Sequence, residues 1–244
     1  MPVASQQIMS TVQRGLQAVR GRIAVAAAAA GRGPDDIALI AVSKTFPAEA
    51  VLEAVAAGQL AFGENYAQEG VDKIARVQAR LLEPLLHAVQ WHFIGPIQSN
   101  KTRLIAEQFD WVHSVDRLKV AQRLSQARPA GMPDLQVCIQ VNVSGEASKS
   151  GVAPEAAGEL AAALRLLPRL RLRGLMAIPR PTADMAQQRA QCRILRELRE
   201  RLAQQGLALD TLSMGMSDDL EAAIAEGATM VRVGRAIFGE RAPG

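Results

Sequence analysis

An alternation constrains this chain more than any other feature. Short apolar runs recur at 38–43, 60–63, 90–94, 111–114, 136–142, 171–177, 211–214 and 230–233, and helix punctuation fills the segments between them. Pro47 opens a predicted helix over 48–57 that Gly58 closes, and Ser99 or Asn100 can cap 101–109. Asp116 can cap 117–127, and Pro154 opens 155–167. Further helices are expected over 184–205 and, from Asp218 to Gly227, over 219–226. Apolar runs without polar alternation, each followed by a helix, imply a parallel sheet covered on both faces. Eight such units in roughly 210 residues predict an α/β fold, a (β/α)8 TIM barrel, with strand 1 near 38–43 and strand 8 near 230–233. Residues 5–30 add a helix before the first strand. An open doubly wound sheet is the competing arrangement, but no G-x-G-x-x-G follows the first run. No linker or composition shift divides the chain, so residues 1–244 are expected to form one domain.

Composition narrows the function. Apolar residues make up 49% and aromatic residues 3%, which predicts an aliphatic, alanine-rich core. The net charge of +4 is spread among interleaved acids and bases, so nothing resembles a nucleic-acid arm. There is no basic leader followed by an apolar stretch, and "AVAAAAAG" (24–31) is too short to span a membrane. A cytoplasmic protein without membrane or nucleic-acid partners is expected. Cys138 and Cys192 fit neither a zinc site nor a disulfide framework and read as reduced buried thiols. Arg193, Arg196, Glu197, Glu200 and Arg201 read as a solvated helix face.

The chemistry of such a barrel sits where its strands end. Lys44 closes the first strand, Glu64 and Asn65 the second, and Gly95 follows the third. Asn142 closes the fifth, Ala177 and Ile178 the sixth, Ser213 to Ser217 the seventh, and Gly234 and Arg235 the eighth. Only five of the 28 basic residues are lysines: Lys44, Lys73, Lys101, Lys119 and Lys149. A chain that uses arginine where it needs charge places a lysine at a strand end for its amine, which can lose a proton and condense with a carbonyl. Partial burial generally favours that neutral, nucleophilic form. A lysine merely snorkelling from a strand end is the alternative.

"SMGMSDD" (213–219) and "VRVGRAIFG" (231–239) each put a glycine after a strand and before a helical turn. Glycine lets backbone N–H groups approach a ligand closely, and the loops after strands 7 and 8 are the recurrent phosphate site of this barrel class. Asp218 and Asp219 would repel a phosphate if they faced it, so they are expected to cap the helix from the side. An amine across the barrel mouth from a phosphate cradle describes a site for a small phosphorylated aldehyde. Pyridoxal 5′-phosphate fits that description.

The segments "AVSKTFP", "FGENYAQE", "WHFIGPIQSNKTR", "VHSVD", "VNVSGEASKSGV", "RGLMAI", "LSMGMSDDLEAAI" and "GATMVRVGRAIFG" occur in order from 41 to 239. Together they resemble the pyridoxal phosphate homeostasis proteins, single-domain relatives of the alanine racemase barrel, over nearly the whole chain. The resemblance implies that Lys44 is the lysine forming the internal aldimine with pyridoxal 5′-phosphate. It implies that Ser217 and the backbone at Gly234 and Arg235, beside Ser213 in the same "SMGMS" segment, cradle the phosphate. Arg232 matches the family's arginine in R-x-G; an arginine beside the ring nitrogen would keep that nitrogen unprotonated and the ring a poor electron sink. Asn65, His92 and Met176 would border the ring, with a satisfied core histidine and simple core packing as the alternatives for His92 and Met176. Lys149, in "EASKSG", matches a family lysine and reads either as an exposed loop residue or as a second cofactor contact or transfer residue.

Two departures stand out. The family has Thr or Ser after Gly234 where this chain has Arg235, whose guanidinium could itself pair with phosphate. The family's tail of tyrosine and lysines is replaced by "APG". Catalysis looks poorly equipped. A racemase needs a base on each face of the substrate, and in alanine racemases a tyrosine from a second subunit, in chains that carry a β domain, supplies the other one. Here the chain ends soon after strand 8, and its one tyrosine, Tyr66, follows strand 2. The expectation is a monomeric carrier or buffer of pyridoxal 5′-phosphate with little or no turnover, passing cofactor to apo-enzymes. A racemase-like enzyme of the same fold type is the alternative, and a cofactor-free Schiff-base aldolase is a third.

Overall fold

The computed structural model describes residues 9–146 and 149–240. Its centre is a closed barrel of parallel strands in the order β1 to β8, the last pairing with the first. The strands are β1 (Ala38–Val42), β2 (Ala61–Glu64), β3 (Gln90–Phe93), β4 (Trp111–Val115), β5 (Leu135–Gln140), β6 (Leu170–Met176), β7 (Thr211–Ser213) and β8 (Met230–Val233). Every apolar run read from the sequence is one of them. Around the barrel lie α1 (Thr11–Ala29), α2 (Ala48–Ala56), α3 (Ala67–Gln78), α4 (Leu85–Ala88), α5 (Thr102–Gln108), α6 (Leu118–Ala127), α7 (Ala157–Leu164), α8 (Met185–Gln204), α9 (Leu220–Ala225) and α10 (Arg235–Phe238). No helix among the described residues is long and apolar enough to cross a membrane.

Period two along each strand divides the core. Outward residues such as Ala41, Phe62, Trp91, Phe93, Val112, Ile139, Val231 and Val233 join the helices in one aliphatic layer. Inward residues fill the barrel itself, where Trp111, Cys138 and Met176 pack together. Gly174 allows β6 and β7 to close on each other, because a Cβ there would overlap the Thr211 carbonyl. Both cysteines are free and buried, and burial pushes each thiol up to about 12, so they are inert packing groups.

Several predicted caps resolve differently. Ser99 lies in a 3-10 turn (Ser99–Lys101) that precedes α5. Asp116 pairs with Arg117 at 2.7 Å and does not cap α6, whose first turn has no side-chain cap. The helix expected over 155–167 is shorter, running Ala157–Leu164, because a hydrogen-bonded turn, the Ala156 N–H donating to the Ala153 carbonyl at 3.0 Å, precedes it. The charged face of α8 is not wholly solvated. Arg193 and Arg196, joined by Arg189, reach the buried Glu226 after α9 at 2.8–3.3 Å, tying the two helices together. The start of the predicted 5–30 helix falls on residues 5–8, outside the described residues; α1 begins at Thr11 under a capping box between Ser10 and Gln13.

The added helix has a purpose in this arrangement. Val12, Leu16, Val19, Ile23 and Ala27 form its buried stripe. Gly15 lets α1 lie against the backbone of α10, since a Cβ there would stand 2.5 Å from the Ile237 carbonyl oxygen. Arg22 grips Glu221 through two hydrogen bonds of 2.8 and 2.9 Å and donates to the Ser217 carbonyl at 2.8 Å. Thus α1 braces the loops after β7 and β8 from behind.

Candidate functional site

Barrel closure brings the strand ends together around a cleft of about 880 Å³. Lys44, Asn65, Ser217, Arg232, Gly234 and Arg235 all line it. These residues lie up to 191 positions apart in sequence and meet only because β1 and β8 pair. One wall is the apolar stretch Ile178, Pro179 and Pro181 after β6; Ile178 was expected at this strand end, while Pro179 and Pro181 were not, although prolines after a strand mark a loop.

The two glycine loops are close-packed. Gly215 has φ +96°, a conformation that favours glycine, and a Cβ there would meet that of Ala223 at 2.7 Å. Its carbonyl accepts the Arg232 N–H at 2.9 Å, joining the β7 loop to β8. Gly234 sits beside β1, where a Cβ would stand 3.1 Å from the Val42 carbonyl oxygen. The expectation that Asp218 and Asp219 turn aside does not hold, for both line the cleft. Asp219 occupies the N-cap position of α9 without capping it; its Oδ1 accepts the Met216 N–H at 2.6 Å and so shapes the loop. Burial raises the Asp219 carboxyl above its usual range, with the Met216 hydrogen bond and the charge of Arg232 opposing.

Arg232 is buried and aimed. Its Nη1 donates to Ser213 Oγ at 2.6 Å and its Nη2 to the Ala177 carbonyl at 2.9 Å. Burial lowers the guanidinium to about 10, with Asp219 pulling the other way, so it stays charged at neutral pH. Ser213 is therefore not a cleft-lining residue but the support of one. Behind it, His113 Nδ1 lies 2.7 Å from Ser213 Oγ, and His113 Nε2 lies 2.9 Å from His92 Nδ1. Burial drives His92 down to about 3 and, with His92 and Arg232 adding repulsion, His113 well below its usual value. Both imidazoles are neutral. His113 was not among the expected site residues, although its spacing of two from Trp111 marks it as an inward position of β4.

His92 and Met176, expected to border a ring, lie deeper. Each precedes a cleft residue by two positions, Ile94 and Ile178, so each occupies the inward-facing site beneath it. His92 stacks on Trp111 with centroids 5.4 Å apart, and Met176 packs with Trp111 and Cys138. Neither lines the cleft, and His92 Nε2 is buried without a hydrogen-bond partner. Lys149 pairs with Glu146 at 3.2 Å and does not line the cleft; the neighbouring Ala147 and Ser148, like the "APG" tail, fall outside the described residues. Tyr66 is exposed and is not part of the cleft lining.

Asn65 carries the plainest sign of a ligand. Its Oδ1 is buried without a hydrogen-bond partner, a costly state that a bound polar group would relieve. Gly95 holds it close, since a Cβ at that position would overlap the Asn65 carbonyl. An amine, a buried guanidinium, an unpaired amide oxygen and two glycine loops around one cleft suit an anionic, aromatic carbonyl compound.

Comparison with known proteins agrees with this chemistry. The family described as "Alanine racemase, N-terminal domain" matches residues 15–242. The pyridoxal phosphate homeostasis protein of Pseudomonas aeruginosa is 64% identical over 233 residues, covering 96% of this chain and 97% of that protein. Its counterpart in Escherichia coli is 54% identical over 96% of this chain and 98% of its own. Among solved structures, PipY of Synechococcus elongatus with PLP bound superposes with a TM-score of 0.81 at 36% identity, over 93% of this chain and all of that one. Alanine racemase from Corynebacterium glutamicum, at 17% identity and a TM-score of 0.66 over 94% of this chain and 63% of that one, shares the fold.

Proposed function

The chain belongs to the pyridoxal phosphate homeostasis proteins, within the alanine racemase N-terminal domain family, and on that premise we propose that it binds pyridoxal 5′-phosphate reversibly and serves intracellular cofactor balance as a carrier rather than a catalyst. The observation that carries this reading is Lys44 lining the same cleft as the Ser217 and Gly234 loops. When bound, the cofactor supplies an aldehyde that condenses reversibly with an amine and releases water.

Each cleft residue has a part in this reading. Lys44 offers the amine. The backbone of the two glycine loops and the Ser217 hydroxyl hold the phosphate, with Arg235 adding charge at the rim. Asn65 Oδ1 accepts a hydrogen bond from a ring substituent. Arg232, fixed by Ser213 and Ala177, faces the ring as a permanent cation that gives up no proton at neutral pH. Ser213, His92 and Met176 support the site from beneath without touching the ligand. Tyr66, the one tyrosine, is not among the residues lining the cleft, and this favours a carrier over a racemase, which needs a base on each face of its substrate. The reading includes residues 1–244 as one ligand-binding domain, a monomer in the cytoplasm, and apo-enzymes as recipients of the cofactor.

Visible absorption spectra of the protein and of Lys44→Ala, before and after borohydride, with peptide mass mapping, test the proposal. A yellow protein with a pyridoxyl mass fixed on Lys44, and a variant lacking both, is the expected result. A colourless protein that also fails to take up added pyridoxal 5′-phosphate would refute it. Rapid α-deuterium uptake by a common L-amino acid in heavy water would sink the carrier reading and leave an enzyme.

A further inference from the structure

A second lysine sits directly behind the first. Lys73 of α3 is 5% exposed, and its Nζ donates three hydrogen bonds: to Glu64 Oε1 at 2.7 Å, to Glu69 Oε1 at 3.0 Å and to the Ser43 carbonyl at 2.7 Å. An ammonium has three N–H groups, so every one is used. Glu64, wholly buried, also accepts the Ser43 hydroxyl at 2.6 Å. Glu69 Oε1 accepts the Thr45 N–H at 2.6 Å. A buried ion pair is a poor source of net stability compared with apolar packing of the same shape. Its geometry points elsewhere.

The groups gripped here bracket Lys44. The Ser43 carbonyl belongs to the peptide plane before Lys44, and the Thr45 N–H belongs to the plane after it. Fixing both planes fixes the Cα–Cβ direction of Lys44, from which its amine hangs. The chain also turns sharply at this point. Thr45 has φ +68°, a genuine outlier for a β-branched residue, and the Phe46 N–H returns to the Ser43 carbonyl at 3.0 Å. Such a turn persists only where its surroundings over-determine it, and Glu69 supplies the acceptor that does so.

We propose that Lys73, Glu64 and Glu69 form a positioning cluster for Lys44, holding the two flanking peptide planes so that the amine is aimed into the cleft. This inference rests on the reading of Lys44 as the group that captures the cofactor aldehyde. In that capture the neutral Lys44 amine forms a double bond to the aldehyde carbon, the carbon–oxygen bond breaks, and the oxygen leaves as water with the two amine hydrogens. The cluster touches no ligand and acts only through Lys44. It also explains why "GENYAQEGVDK" (63–73) carries Glu69 and Lys73 at i,i+4 spacing, a pair that reads from sequence as surface decoration.

The test separates aiming from binding. Cofactor-free protein is mixed with pyridoxal 5′-phosphate, and the rate of covalent capture is followed by absorbance and by borohydride trapping on Lys44. Affinity for pyridoxine 5′-phosphate, which has no aldehyde, is measured in parallel. Glu69→Ala is expected to slow capture about tenfold or more, since small misplacements of a reacting group cost that much, while leaving pyridoxine 5′-phosphate affinity unchanged. Glu69→Gln keeps an oxygen for the Thr45 N–H and should restore most of the rate. Lys73→Met should slow capture further; should it fail to fold, the two variants at Glu69, which is about one-third exposed, still decide the matter. Capture by Glu69→Ala at the wild-type rate, or equal weakening of both ligands, overturns the inference alone. Unmutated protein that captures nothing overturns the functional reading beneath it.

Discussion

Ser213 links the cleft to the barrel interior, and Ser213→Ala should expose how much that link contributes. Its Oγ accepts from Arg232 Nη1 at 2.6 Å and contacts His113 Nδ1 at 2.7 Å, in a place where Arg232 is 4% exposed and His113 0%. The substitution removes one oxygen and leaves the backbone and core packing in place. Arg232 Nη1 and His113 Nδ1 each lose this partner while buried, at about 1–3 kcal/mol apiece, so a loss of about 3 kcal/mol is expected. For a chain of this length that corresponds to a fall in Tm of roughly 6–12 °C. Urea unfolding followed by circular dichroism, with a thermal scan, measures it. The pairing can be isolated by adding Arg232→Met, which removes the donor. If the 2.6 Å contact carries the effect, the double variant should be more stable than the sum of the single losses predicts, by about 1 kcal/mol or more. A loss below about 0.5 kcal/mol, or strictly additive losses, would refute the argument that this hydroxyl satisfies Arg232.

Further expectations concern pH and the phosphate rim. His92 titrates near 6.5 when unfolded but only near 3 in the fold, because burial disfavours its charged form. Stability from this group is therefore fully present above pH 6.5 and is lost as pH falls towards 3, at up to about 1.4 kcal/mol per pH unit. His113, lowered in the same direction, steepens the slope. Stability measured from pH 7 to pH 4 should fall less steeply in His92→Gln, and an unchanged slope would show that His92 is not neutral in the fold. Arg235 is exposed at the cleft rim, where an ion pair with phosphate is worth about 0.3–1 kcal/mol. Arg235→Thr should then weaken pyridoxal 5′-phosphate binding about two- to fivefold at low salt, and the difference should fade at about 1 M salt, as screening predicts. A deficit that persists in high salt would mean Arg235 acts on the loop and not through its charge.

Much of the architecture was legible because it is written locally. Each strand announces itself as a short apolar run, so β1 to β8 could be placed to within a residue or two at their ends. The caps were less legible. Asp116 has a capping residue's chemistry, yet Arg117 is its neighbour and competes for the same carboxylate. Asp218 and Asp219 were expected to turn from the cleft on grounds of repulsion, but a backbone amide at Met216 gives Asp219 a reason to stay. The arginines of α8 follow a surface pattern, and only the packing of α9 reveals that they surround a buried carboxylate.

Lys44, Ser217 and Gly234 stood out from sequence because strand ends in a barrel of this kind have a common destination, whereas Arg232, inside β8, was marked only by the family resemblance. His92 and Met176 did not separate from them, since a step of two positions along a strand distinguishes a cleft-lining residue from the layer beneath and carries no mark in composition. Lys73 was invisible for the opposite reason. Its spacing from Glu69 suits a solvated helix, and its burial depends on α3 lying against the end of β1. The amino-acid order alone thus determined the strands, the helices between them and the amine at the first strand end, because these depend on interactions among near neighbours. The tertiary structure decided which polar groups lose their water, as with Lys73 beside Glu64, and which meet across 100 residues, as with His113 and Ser213. Desolvation and long-range contact exist only once the barrel has closed.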